Sequence, residues 1–387
     1  MKFLFSTILA LPLATAQVIG KPFGFAADVT GGGDATPQYP KDIAELTKWL
    51  TDDTPRVIMI DKTFDFRNSE GTVTANCCSD PSTTVCSGGT SKGQLWLVDT
   101  CPAGQTAQTC SYDKAGKNPI DVGSNKSIVG VGNKGVISGK GLRMRNNNTN
   151  VIIQNIHITN LNPQYVWGGD IITMDETDLI WIDHCKFSLA GRQFLVSGWG
   201  AAGRVTISNN EFDGRTTWSA GCNGKHYWTM LFLGLKDFYT FSGNWIHDVS
   251  GRAPHMGTDH TDSEIQFQAI NNYWQNVGGH AFDVDKNVNV LVEGSYFDNV
   301  TTPVTPTTYT AGGSMFFVQT VADAQDCLPQ LGYICEWNKQ TDSGAVDAIT
   351  NDTVLPVLKN SKASLVTKHL SATDVPRSVV ANAGVGK

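Results

Sequence analysis

The chain is predicted to be all-β: a right-handed parallel β-helix with a short N-terminal capping helix and long loops forming a groove. Three observations carry that expectation. Short runs of alternating β-branched and aromatic residues recur, as VIIQNIHIT, LIWIDHCKF, RVTISNNEF, FYTFSGNWI, IQFQAINNYW and VNVLVEGSYF. Taking Ile156, Cys185, Asn210, Asn244, Asn272 and Ser295 as equivalent gives, by subtraction, steps of 29, 25, 34, 28 and 23 residues. A period in that range is the mark of a solenoid. Few apolar stripes of helical period lie between the runs. A β-sandwich with irregular spacing is the competing architecture, but it gives no reason for the period.

The elements follow in chain order. MKFLFSTILALPLATAQ has a basic start at Lys2, an apolar stretch and Ala14-Thr15-Ala16 as a small-residue cleavage site. It reads as a secretory signal over residues 1–16, too short to span a membrane. Residues 17–387 are then expected to form a single β-helix domain. DIAELTKWL, from Asp42 to Leu50, is the one convincing helix, with Asp42 as N-cap, suited to closing the open end of a solenoid. PRVIMIDKTF and NKSIVGVGNKGVISGKGL read as early coils. Asn at the repeated turn position fits, because its side chain can both donate and accept along a ladder and tolerates left-handed φ.

Secretion makes disulfides the default for most of the nine cysteines. Cys77, Cys78, Cys86, Cys101 and Cys110 crowd a loop-like region rich in Ser, Thr and Gly, and Cys327 and Cys335 form a second group. An odd total leaves one thiol over, and Cys185, inside an apolar run, fits a buried free thiol. Asn125, Asn147, Asn299 and Asn351 lie in glycosylation sequons. A net charge of −7 argues against nucleic acid and anionic membranes as partners.

A solenoid has no enclosed pocket, so function is expected in a groove walled by the long inserts. These carry Trp167, Trp199, Trp218, Tyr227 and Trp228, with Trp96 in the cysteine-rich region. Exposed aromatics of this kind suit stacking on sugar rings. Trp181, Trp245 and Trp274 lie in strands and are expected to cover the core. Asp170, Arg192 and Arg252 are separated by 22 and 60 residues, by subtraction, which is about one and two further coils with their inserts. They can converge on one face. Asp52-Asp53 is the only adjacent aspartate pair and falls near the cap, a poor place for the paired carboxylates of a hydrolase. Asp175, Glu176 and Asp178 read as a solvated turn, and His184 and His280 as structural.

TGGGDATPQYP, NKSIVGVG, NPQYVWGGDIIT, LIWIDH, GRQF, NGKHYW, SGRAPH and NNYWQNVGGHAF occur in order along almost the whole chain. Through them the sequence resembles the secreted fungal-type pectin lyases of polysaccharide lyase family 1. The resemblance implies a parallel β-helix and eliminative cleavage of methyl-esterified polygalacturonate, with Arg252 in the position of the base and Arg192 and Asp170 beside it. It implies substrate contacts from Trp167, Tyr227, Trp228, Trp96, Trp218 and His255, no metal or other cofactor, and a monomer whose partner is a polysaccharide. By motif position it implies bridges Cys86–Cys222 and Cys327–Cys335. Cys101 pairs with Cys77 or Cys78, and Cys110 with the other. The related pectate lyases hold calcium on a cluster of carboxylates; here Arg192 stands where one such ligand is expected. His255 stands where pectin lyases often carry Lys, and Gly257 where pectate lyases tend to carry a second Arg. A calcium-dependent pectate lyase and a non-catalytic polysaccharide-binding β-helix are the alternatives.

Overall fold

The computed structural model describes residues 18–79, 86, 91–258 and 260–387; the signal segment expected at 1–16 lies outside them. The chain winds into a parallel β-helix. A ten-stranded sheet runs from Pro37–Gln38 through Thr149–Gln154 and Lys236–Ser242 to Ser314–Phe317. The other two walls belong to a fifteen-stranded sheet, joined across the long strand Tyr273–Val284. One of these walls carries Ile172–Met174, Leu195–Ser197, Met230–Phe232 and His255–Met256, all in parallel register. Each coil thus pairs three short strands with the coils above and below. Alternate residues enter one interior, where Ile182, Ile207, Phe241, Ala269 and Val292 stack in one row with no exposed surface.

The turn after the first wall divides a task that sequence reading gave to one residue. Asn155, His184, Asn209 and Asn271 take the left-handed turn, with φ of 58°, 50°, 52° and 54°. The residue that follows runs the ladder. Asn210 Oδ1 accepts from the Cys185 N–H at 2.8 Å, Asn244 Oδ1 from the Asn210 N–H at 3.0 Å, and Asn272 Oδ1 from the Asn244 N–H at 2.9 Å. Ser295 Oγ and Asn338 Oδ1 continue it. The ladder satisfies backbone groups that the bend takes out of the sheets.

The expected capping helix is Ile43–Thr51, and the Asp42 side chain accepts from the Glu45 N–H. It is not the only one. Val321–Leu331 starts at a Thr320/Asp323 capping box, and Val354–Lys359 and Val375–Asn382 follow. Of the three strand tryptophans, only Trp274 enters the main interior. Trp181 lies on an outer face under Ala26 and Val29, and Trp245 under Val375 and Val379. The terminal segments therefore clasp the outside of the solenoid.

Among the described residues, much of the cysteine-rich region is strand rather than loop. Thr72–Ser79 pairs antiparallel with Thr106–Asp113 over eight residues, and Leu95–Trp96 ties it to Tyr165–Val166. Disulfides join Cys77 to Cys110, Cys78 to Cys101, Cys86 to Cys222 and Cys327 to Cys335. Cys185 is free and fully buried, and burial pushes its thiol up to about 12.

Candidate active site

The residues expected to act together sit at the ends where chain enters the strands of one wall. Asp170, Arg192, Tyr227, Trp228 and Arg252 precede the strands Ile172–Met174, Leu195–Ser197, Met230–Phe232 and His255–Met256. Successive coils therefore present them side by side.

Arg252 is held through both its backbone and its side chain. Its φ is 46°, a left-handed conformation that a large side chain rarely adopts. Its N–H donates to His280 Nε2 at 3.0 Å and its C=O accepts from the Met230 N–H at 2.7 Å. Its guanidinium lies 4.8 Å from the centre of the Trp228 ring. With the Gln193 amide turned to satisfy its neighbours, Gln193 Oε1 accepts from Arg252 Nη1 at 3.0 Å. Gly251 lets Tyr227 approach, since a Cβ there would fall 2.4 Å from the Tyr227 ring. Burial lowers the Arg252 pKa, while Tyr227 and the more distant Asp283 pull it back up.

Arg192 is the second guanidinium. It stacks on Trp167 at 3.7 Å and is 3.9 Å from Asp170 Oδ2, a loose pair rather than a two-pronged one. Its Nε is buried with no partner. Burial lowers its pKa, Asp170 opposes this, and the charge on Arg252 reinforces it. Burial raises the Asp170 carboxyl, against Arg192 and the Gln193 N–H, which donates to Oδ1 at 2.7 Å.

The outward-facing residues of this wall make the floor. Register places Asp121, Arg143, Thr173, Val196, Leu231, His255 and Asp283 in one row. Its middle is uncharged, and Val196 and Leu231 do not join the interior core that takes their neighbours Leu195, Met230 and Phe232.

The expected substrate contacts divide. Trp167 is 42% exposed and flanks the depression around Arg192 and Asp170. Tyr227 packs edge-on against Trp228 and His280. Trp228 is only 9% exposed and donates from Nε1 to Gln94. It is therefore a platform under Arg252 rather than an open stacking surface. Trp96 meets its edge at 6.2 Å. Trp218 is occupied by Lys92, whose Nζ lies 5.1 Å from the ring, and none of its described contacts reaches the arginines. His255 is not a spare cation. Its Nδ1 lies 2.6 Å from Asp283 Oδ2 and its Nε2 3.7 Å from Asp285.

Sequence reading missed two positioning groups. His226 Nε2–H donates to the carbonyls of Arg192 and Trp228 at 2.8 and 3.0 Å, so one ring ties both loops. Burial holds it down to about 4, against those carbonyls. Gln193 does the same for Arg252 and Trp228. Both lie inside motifs that also carry site residues, Gln193 in GRQF and His226 in NGKHYW.

The residues present do not fit calcium, which wants six to eight oxygen ligands. Asp170 is faced by a guanidinium, and the floor beside it offers Thr173, Val196 and Leu231. Among the described residues one group has metal-ligand spacing, Glu211, Asp213 and His247. Lys186 bonds both of its carboxylates, and Arg215 bonds Asp213 again.

The family profile described as pectate lyase matches residues 1–387. A protein named "Probable pectin lyase F" from Neosartorya fischeri is 65% identical over 382 residues, 99% of this chain and 98% of that one. "Probable pectin lyase E" from Aspergillus fumigatus is 65% identical over 385 residues, covering 99% of each. Among solved structures, a pectate lyase from Bacillus sp. N165 in complex with trigalacturonate superposes with a TM-score of 0.58 at 18% identity, covering 94% of this chain and 99% of that one. At that identity the likeness speaks for the fold alone.

Proposed function

The chain belongs to the pectate lyase family, and from that premise we propose that it is a secreted pectin lyase, cleaving methyl-esterified polygalacturonate by β-elimination without a metal. The proton on C5 of the sugar, α to the ester carbonyl, is removed. Its electron pair becomes the C4=C5 double bond, the C4–O bond breaks, and the departing oxygen takes up a proton. One product carries an unsaturated end.

Arg252 is assigned the C5 proton. Guanidinium is normally never deprotonated, so the site has to work against its basicity. Burial does so, and among the described residues no carboxylate lies within ion-pair range to restore the charge. The Trp228 face and Tyr227 oppose burial, and the net direction is down. Arg192 is assigned the negative charge that develops on the ester carbonyl as the proton leaves. Its fixed charge does there what a calcium ion does for a free uronate.

The observation that carries this reading is Arg252 laid on Trp228 and Arg192 loosely paired with Asp170, beside the uncharged floor of Thr173, Val196 and Leu231. An ester needs no charge neutralisation from below, whereas a bare carboxylate does. Monomeric action on a soluble polysaccharide, with Trp167 and Tyr227 as ring contacts, completes the proposal. The test is product analysis after incubation with highly methylated pectin. Unsaturated non-reducing ends are expected. New reducing ends without unsaturation indicate a hydrolase, and binding without new ends indicates a lectin-like β-helix.

A further inference from the structure

The depression at one end of the catalytic floor has a different chemistry from its middle. Lys117, Arg143, Thr173, Trp167, Asp170 and Arg192 line it. Arg143 Nε binds Asp121 Oδ1 at 2.6 Å, and Arg145 binds the other oxygen of the same carboxylate at 2.7 Å. Arg192 faces Asp170 loosely at 3.9 Å. Lys117 stands over the Tyr112 ring at 5.1 Å and is exposed. Four cations are thus set against two carboxylates. This surplus sits in a chain of net charge −7. Arg145 Nε is also buried without a partner. Towards the other end of the same floor, His255 is committed to Asp283 and Asp285, so that end is acidic.

We infer that the Lys117–Arg143 end is a subsite for the free carboxylate of a non-esterified galacturonate, offset from the sugar that is cleaved. Natural pectin mixes esterified and free residues. A floor neutral at its centre and basic at one end orients such a chain, placing an ester over the arginines and a free acid at Arg143. Lys117 supplies point charge, and the guanidinium of Arg143 supplies directed donors. The inference rests on the lyase reading of the same groove.

The test uses the full-length wild type and the variants Lys117→Gln and Arg143→Gln. Competitive inhibition of pectin cleavage is measured with a de-esterified galacturonate trimer and with its methyl ester. In wild type the free acid is the better inhibitor, and added salt weakens it selectively. Each variant should raise the ratio of acid to ester inhibition constants by roughly five- to tenfold. An unchanged ratio in both variants overturns the subsite. Lys117 is exposed, so its variant keeps the test valid if removal of Arg143 disturbs folding through Asp121. A wild type that forms no unsaturated product fails the lyase reading itself, and the two failures are told apart by that assay.

Discussion

Arg252 combines a left-handed backbone, a backbone donor engaged by His280 and a guanidinium laid on Trp228. Arg252→Lys keeps a cation but loses the planar fork that meets Gln193 and the ring. We expect kcat to fall by about 10² or more, in the range seen when a transition-state contact is removed, with little change in KM. Near-wild-type kcat in steady-state assays would remove Arg252 from the chemistry. Arg192→Asp should abolish cleavage of methylated pectin and place two carboxylates side by side with Asp170. Full activity of that variant in the presence of chelator contradicts the role given to the guanidinium. At this scale the charged residues were legible less from their coil spacing than from the motifs NPQYVWGGDIIT, GRQF and SGRAPH that carry them. The sequence did not expose their supports. His226 ties backbone carbonyls, and Gln193 joins the Trp228 carbonyl to the Arg252 guanidinium, contacts that the motifs holding these residues do not reveal. Nor did it show that His255 is bonded to Asp283, a partner 28 residues away brought alongside by register.

The coils were legible because their strands repeat the same pattern of β-branched and aromatic residues. Their turns were less so, since left-handed φ and ladder hydrogen bonding fall on neighbouring residues and both favour Asn. Asn244 is the middle rung. It accepts from Asn210, and its Nδ2 donates to the Ile207 carbonyl at 2.9 Å and to Asn272 Oδ1 at 3.0 Å. Asn244→Ala leaves buried backbone groups without partners and should cost about 2–4 kcal/mol, read as a shift of the urea midpoint. A change below about 0.5 kcal/mol would mean that the ladder is decoration. The C-terminal helices escaped notice for a local reason. Pro329 interrupts the Val321–Leu331 pattern, and Val354–Lys359 and Val375–Asn382 are too short for periodicity to speak. Only the Thr320/Asp323 capping box marked the first of them.

Across the whole molecule, the C-terminal segment is fastened to the outside of the first wall. Gln268 binds both the N–H and the C=O of Val366, and also donates to Glu293 Oε1. Glu293 is fully buried, accepts from Tyr333 at 2.7 Å, and has a second oxygen without a partner. Burial raises its pKa to about 7, against Gln268 and Tyr333. A carboxyl with a raised folded-state pKa stabilises the fold below its ordinary value of 4.5, and that contribution is lost as pH rises through about 7. The loss is on the order of 3 kcal/mol. Glu293→Gln, which cannot ionise, should therefore show a smaller fall in Tm between pH 5 and 8 than wild type. Parallel Tm curves would show that Glu293 ionises freely in the fold.

The groove is where these scales meet, with an uncharged centre beside two guanidiniums that the solenoid holds two coils apart. The most direct measurement is initial rate by ultraviolet absorbance of the unsaturated product, on highly methylated pectin and on polygalacturonate, each with excess chelator or with calcium. The account predicts fast product formation from methylated pectin, unchanged by chelator, and little from polygalacturonate under either condition. Loss of activity with chelator, or faster turnover of polygalacturonate once calcium is added, would contradict it.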